Sequence, residues 1–260
     1  MNVVALRLRT APDLAAGRRL LNLTDLEDRD VLKAMEHVQR QRHGERDFGF
    51  ALRRVVALSL VLGDDDGQQL LSMNADTHSE HDMLSAFFEH ASVDGNLLVT
   101  WNGNFAHLPV LQTRALILDV PSSSYWHGGR DPDRHVEIAP LVTGGKDDLL
   151  DLIEVGTLSG LPRLEPLSET AVRDAVVAGD CALIGAECDQ LAIHTYLLYL
   201  RMRRIRGEVS GAFHAQQVER VRAWLGQSPR PELQAYAEAW FVEQWPLKTA
   251  STQVAAHGAS

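Results

Sequence analysis

Eight consecutive positions, Val55 to Leu62, are apolar except for Ser59. The run is too short for the ~20 residues that cross a bilayer. Its length and its aliphatic, β-branched content are those of a buried strand. Such a strand has to be shielded from water, so the chain must build a real interior around it. We assign Arg53–Leu62 to this strand. Gly63-Asp64-Asp65-Asp66-Gly67 closes it, and Gln69–Met73 returns beside it as a paired third strand. The aspartates between the two read as a solvated turn rather than a cation site.

The rest of the chain supplies partners for that strand. Val3–Leu8 alternates weakly and reads as a first strand, ending in the turn Thr10-Ala11-Pro12-Asp13. Leu14–Leu21 is a short helix. Asp25–Gln41, with Leu26, Val31, Ala34, Met35 and Val38 at helical spacing, is an amphipathic one. Ser79–Ala91 is helical, Asn96–Thr100 is a strand, and His107–Leu118 is helical again. Residues 121–147 are rich in Pro, Gly, Ser and Asp without a period and read as a long loop. Leu149–Gly160, Ser168–Ala178 and the long Cys181–Arg206 are helices. Phe213–Leu225 and Pro231–Trp245 form a helical tail, and Lys248–Ser260 has the composition of a disordered end. Strands early and helices late predict one α/β domain with a helical C-terminal extension. The boundaries are 1–206 for the domain, 207–247 for the extension packed on it, and 248–260 for the tail.

Charge and cysteine content narrow the function classes. The 260 residues carry 25 Lys and Arg against 35 Asp and Glu, a formal net charge of -10. That balance argues against coating nucleic acid or an anionic membrane by bulk charge, while leaving room for a local basic cleft. The two cysteines, Cys181 and Cys188, cannot supply a disulfide framework or a cysteine-based zinc site. A reducing cytoplasm is the expected compartment. The N-terminus lacks the apolar core of a signal peptide, and no membrane partner is expected.

There is no P-loop, GxSxG, HExxH or GxGxxG. What stands out is an ordered set of segments: LRTAPDLAAGRRLL, RRVVALSLVL, LLVTWNGNFAHLPVLQTRAL, LSGLP and AGDCALIGAECDQLAIHTYLLYLR. Together they resemble the predicted 3′–5′ exonucleases related to the proofreading domain of family B DNA polymerases. These belong to the DnaQ-like, ribonuclease H-like superfamily. The resemblance spans residues 3–206 and implies a ribonuclease H-like α/β fold, a mixed sheet flanked by helices. It also implies a site in which four carboxylates hold two divalent metals, Mg²⁺ or Mn²⁺, that activate water and clamp the leaving oxygen.

Position by position, the residues depart from that pattern. The first motif of the family is Asp-x-Glu-Thr followed by Pro; here it reads Arg7-Leu8-Arg9-Thr10-Ala11-Pro12-Asp13. The second is Trp-Asn-Gly-x-x-Phe-Asp-Leu-Pro; here Trp101-Asn102-Gly103 is kept, Ala106 replaces Phe and His107 replaces Asp. The third is Tyr-Cys-Glu-x-Asp; here Glu187 replaces Tyr, Cys188 and Asp189 align with Cys-Glu, and Leu191 replaces Asp. Four expected carboxylates become Arg7, Arg9, His107 and Leu191, so the local charge changes from -4 to +2 with histidine neutral. Sliding the third motif by two residues would make Asp189 a ligand, at the cost of an indel inside a helix.

Arg7 and Arg9 point the same way from their strand and suit phosphate or carboxylate. The resemblance therefore implies a degenerate exonuclease-like protein with no intact catalytic residue, no metal and no cofactor. Arg7, Arg9, Trp101, Asn102 and His107 are the expected contacts to single-stranded DNA or RNA. Two other readings are an active metal-dependent exonuclease with misaligned ligands and an interaction subunit without nucleic-acid binding. The last is supported by the acidic balance and by Trp224, Trp240 and Trp245, and would engage a protein partner. His127 and His135 around Gly128-Gly129-Arg130 read as surface loop. Asp147, Asp148 and Asp151 read as helix-capping carboxylates. Arg201, Arg203, Arg204 and Arg206 complement the end of the long helix.

Overall fold

The computed structural model describes residues 2–44, 48–64, 66–122, 134–145 and 150–240. His127, Asp147, Asp148, Trp245 and the 248–260 tail lie outside the described residues. In chain order the elements are β1 (Asn2–Pro12), α1 (Leu14–Leu21), α2 (Asp28–His43), β2 (Arg53–Gly63), β3 (Gln68–Asn74), α3 (Glu80–Ala91) and β4 (Asn96–Thr100). Then come α4 (Gly103–Ala106), α5 (Leu108–Leu118), β5 (His135–Glu137), α6 (Ile138–Thr143), α7 (Leu152–Leu158) and α8 (Glu169–Ala178). The chain ends with α9 (Ala182–Ile205), α10 (Gly211–Gly226) and α11 (Pro231–Ala239).

The strands form one mixed sheet in the order β3-β2-β1-β4-β5. β2 runs antiparallel to both β1 and β3, while β1, β4 and β5 run parallel. This is the ribonuclease H-like arrangement. β1 is the middle strand: β2 pairs with it from Val3 to Pro12 and β4 from Asn2 to Ala5, and both its faces are covered there. Its even positions Val4, Leu6 and Leu8 join Leu58 and Leu60 of β2 in a core closed by α3 and α5. Its odd positions Val3 and Ala5 face the other layer, where α9 crosses β1 and β2. The apolar run of β2 thus serves two cores at once. Ser59, its one polar residue, donates to Asp189 of α9 at 2.5 Å.

β1 continues through Thr10–Pro12, where the sequence suggests a turn. A register shift between Arg9 and Thr10 lets the strand stay paired with β2, and Pro12 sits at its end opposite Arg53, where no further ladder donor is needed. The expected 121–147 loop is also corrected in part, since β5 and α6 lie within it. Three residues are too few to show alternation, and β5 is recognisable only from its parallel pairing with β4. His135 accordingly belongs to β5 rather than to a surface loop, with Nε2 2.8 Å from the Thr100 hydroxyl.

The hairpin turn between β2 and β3 behaves as its composition implies. Asp64 accepts from the backbone N–H groups of Asp66 and Gly67, which holds its carboxyl below the usual range. Asp151 caps α7 through Glu154 N–H at 2.8 Å. The arginines ending α9 stay near it: Arg201 donates to the Ser159 carbonyl, and Arg203 and Arg206 pair with Glu208.

The C-terminal helices share the α9 core. Val221, Leu225, Leu233, Tyr236 and Trp240 are buried in the same cluster as Ala5, Leu191 and Tyr196. Asp189 fastens them electrostatically: it takes hydrogen bonds from Ser59, Ser72 and Arg230, the residue preceding α11. Opposite, the buried Arg114 of α5 bridges Asp13 at 2.8 Å and Glu80 at 2.6 Å. Glu80 also accepts the Val55 N–H. Removing one partner of such a group strands a buried charge. Arg114→Ala should therefore lower unfolding stability by about 3–5 kcal/mol in urea titrations.

His194 of α9 is fully buried, with Nδ1 2.8 Å from the Tyr236 hydroxyl. Burial pulls its pKa down to about 4. The unfolded chain, with an ordinary histidine near 6.5, binds more protons between those values, so stability falls as pH falls through that window. His194 alone should remove about 2 kcal/mol of stability by pH 5 relative to pH 8. Urea titrations across this range check the slope, which His194→Gln should reduce.

Candidate functional site

Because β1 and β4 are parallel, their C-terminal ends open on the same end of the sheet, the place where ligands bind in open α/β sheets. The odd face of β1 changes character there: Val3 and Ala5 are apolar, and Arg7 and Arg9 follow. β4 ends in Trp101-Asn102-Gly103, which turns the chain into α4. A Cβ on Gly103 would stand 2.6 Å from the Thr100 hydroxyl oxygen, so only glycine permits this turn. Thr100 itself accepts the Gly103 N–H. The turn delivers His107 to the cleft at the start of α5.

Arg7, Arg9 and His107 line one cavity of about 630 Å³. Its other walls come from α2, α8 and the start of β2, including Glu36, Arg40, Phe48, Arg53, Glu169 and Arg173. Arg9 is held firmly. Its Nε and Nη2 donate to the two Glu187 oxygens at 2.7 Å each, and Nη2 also donates to the Leu167 carbonyl at 2.8 Å. The Leu167 N–H returns a bond to Glu187. Arg173 pairs with Glu36 at 3.1 Å.

Arg7 and His107 are different. The Arg7 Nε and the His107 Nδ1 are both sealed from solvent, and neither has a hydrogen-bond partner among the described residues. Burial, and secondarily the charge of Arg9, lowers the Arg7 pKa; Cys188 and Glu187 oppose this. Burial, reinforced by Arg7 and Arg9, holds His107 well below the usual histidine value, so its ring is neutral.

The remaining expected residues lie elsewhere. Leu191 is one turn beyond Glu187 on α9 and sits in the core with Val3, Ala5 and Tyr196, away from the cavity lining. Asp189 faces Ser59, Ser72 and Arg230. The expected nucleic-acid contact by Trp101 is corrected. Its ring is 4% exposed in the core and its Nε1 donates to the Leu150 carbonyl at 2.8 Å. Asn102 precedes α4 and does not line the cavity. Sequence reasoning missed Arg40, Arg53 and Arg173. They come from three separate elements, α2, β2 and α8, which only the tertiary fold brings around one cavity.

The superfamily's paired divalent ions do not fit this donor set. Among the described residues, no group of three or more His, Cys, Asp or Glu is placed to hold a metal ion. Glu187 is committed to Arg9 and Glu36 to Arg173, which leaves Glu169 as the single other carboxylate of the described lining. A divalent ion about 4 Å from an unpaired guanidinium would be repelled by roughly 8 kcal/mol at an effective dielectric near 20.

No curated protein matches the chain. The family B DNA polymerase from the hyperthermophilic archaeon Pyrobaculum calidifontis is structurally similar, with a TM-score of 0.49 and 14% identity over 75% of this chain. The chain spans only 24% of that polymerase. The family described as predicted 3′–5′ exonucleases related to the exonuclease domain of PolB matches residues 48–240. That span holds His107, Glu187 and Leu191, while Arg7 and Arg9 precede it. The match covers well over half of the sequence, and the chain belongs to this family of PolB-related predicted 3′–5′ exonucleases.

Proposed function

We propose that this chain is a non-hydrolytic member of its family, in which the fold is kept and the cleft binds phosphate groups of single-stranded DNA or RNA. One observation carries the reading: an arginine with no partner for its Nε stands on the middle strand of the sheet, where the resemblance puts a metal-binding carboxylate. Arginines suit phosphate because the planar guanidinium matches its oxygens in pairs. Phe48 lines the same cavity, and Phe105, two residues before His107, is 67% exposed. Exposed rings beside a basic groove are the usual platform for stacked bases.

The active-nuclease reading needs cleft carboxylates from other segments. Its two nearest candidates, Glu187 and Asp189, are both spent on arginines. The interaction-subunit reading drew on tryptophans in the tail. Trp240 is buried and Trp224 packs against the same core, which weakens that support.

Fluorescence anisotropy with labelled single strands tests the proposal. Binding should weaken as salt rises from about 50 to about 200 mM, with a log–log slope near -2 for roughly three phosphate contacts. Incubation with Mg²⁺ or Mn²⁺ should leave the strand intact. Metal-dependent 3′–5′ degradation lost in His107→Ala would overturn the non-hydrolytic reading, and absence of binding at low salt would overturn the binding one.

A further inference from the structure

The cavity is not an evenly basic trough: Arg9 and Arg173 are paired with glutamates, while Arg7 and Arg40 have no ion pair among the described residues. Toward the outside, Arg40 is exposed, Arg53 donates to the Phe48 carbonyl and Arg173 is held by Glu36. Arg9 is fixed by Glu187 and the Leu167 carbonyl. The two atoms without partners, Arg7 Nε and His107 Nδ1, are shut off from solvent, and His107 is 5% exposed. Buried polar groups are almost always satisfied, and among the described residues lining the cavity only Arg7 and His107 carry such an orphan atom, so unmet hydrogen bonding gathers at one place in it. Water carries no charge to set against the surplus of arginines around that place.

Charge and shape select among anions. The described lining holds five arginines and two glutamates. With Glu187 behind Arg9, the balance is +2. An internal phosphodiester carries one negative charge and a chain on either side, so it must lie across an opening. A terminal phosphate carries about -1.5 to -2 near neutral pH and a chain on one side only. It alone can enter end-on and meet the partly exposed Arg7 side chain. The cavity volume lies within the range of small-ligand sites.

Resting on the nucleic-acid reading above, we infer that the cavity seats a phosphate monoester, the phosphorylated end of a strand, with Arg7 and Arg9 on its oxygens and His107 at its floor. Arg7 is then held in place at a cost to stability that ligand binding repays.

The test uses the full chain and four kinds of probe: inorganic phosphate, a nucleoside monophosphate, its unphosphorylated nucleoside, and one single-stranded oligonucleotide made with 5′-phosphate, 3′-phosphate or hydroxyl ends. Phosphate and the monophosphate should raise the melting temperature in proportion to occupancy, and the nucleoside should not. One phosphorylated end should bind at least about tenfold tighter than hydroxyl ends, a factor equal to about 1.4 kcal/mol. The two labelled ends separate the possible sources of the phosphate. Arg7→Met should abolish the phosphate-induced shift while itself raising the melting temperature, because it removes a partly buried cation whose Nε has no partner among the described residues. A merely structural Arg7 would give a lower melting temperature, which overturns the inference. Equal affinity for all oligonucleotide ends also overturns it and leaves strand binding standing. Binding of the monophosphate with no binding of any oligonucleotide supports the phosphate seat and removes the strand-binding reading. No shift with any probe, in the wild-type chain, overturns the seat whatever the variant does.

Discussion

Strand β1 is paired with β2 along its length but with β4 only over Asn2–Ala5, and the cleft lies beyond that shared stretch. Its even side chains Val4, Leu6 and Leu8 are apolar, because α3 and α5 close that side. On its odd side α9 buries Val3 and Ala5, and Arg7 and Arg9 follow them. Arg7 and Arg9 stand where cover gives way to cavity. A guanidinium there must find a partner or bear the cost of burial. Arg9 takes the first course through Glu187 and Leu167, while Arg7 does not.

Helix α9 handles the resulting charges in two directions. Glu187 and Asp189 are two residues apart, so they project at well-separated angles. Glu187 turns to the cleft and neutralises Arg9; Asp189 turns to Ser59, Ser72 and Arg230 and pins the C-terminal helices to the sheet. Burial still raises the Asp189 pKa despite these donors, so this carboxylate serves architecture. Neither is left free to act on a cation. A chain with net charge -10 can therefore hold a cavity whose described lining is positive, since the acidic residues fall mostly outside it.

The secondary structure was largely legible because its signals are local. The Val55–Leu62 run, the helical spacing from Leu26 to Val38 and the Trp101-Asn102-Gly103 segment each announce themselves within a few residues. What escaped was non-local: β5 exists because β4 offers it a parallel edge, and β1 runs on through Thr10–Pro12 because a register shift keeps it paired. In the site, Arg7, Arg9 and His107 could be named from motif positions alone. The retained Trp101 looked like a ligand contact and is a core residue, since a motif records which residue is kept and not which way its ring faces.

By itself the sequence determined the residue types: two arginines two apart on a strand, a histidine after a Trp-Asn-Gly turn, and an overall acidic balance. Short-range spacing suffices for that, because strand alternation sets which side chains share a face. Only the tertiary structure decided which charges are cancelled. The Arg9–Glu187 pair joins residues 178 positions apart, and the Arg173–Glu36 pair joins residues 137 apart. Whether a charge is paired or orphaned depends on distances of a few ångströms across packed elements. In this protein that difference separates Arg9, a fixed wall of the cavity, from Arg7, whose Nε has no partner among the described residues.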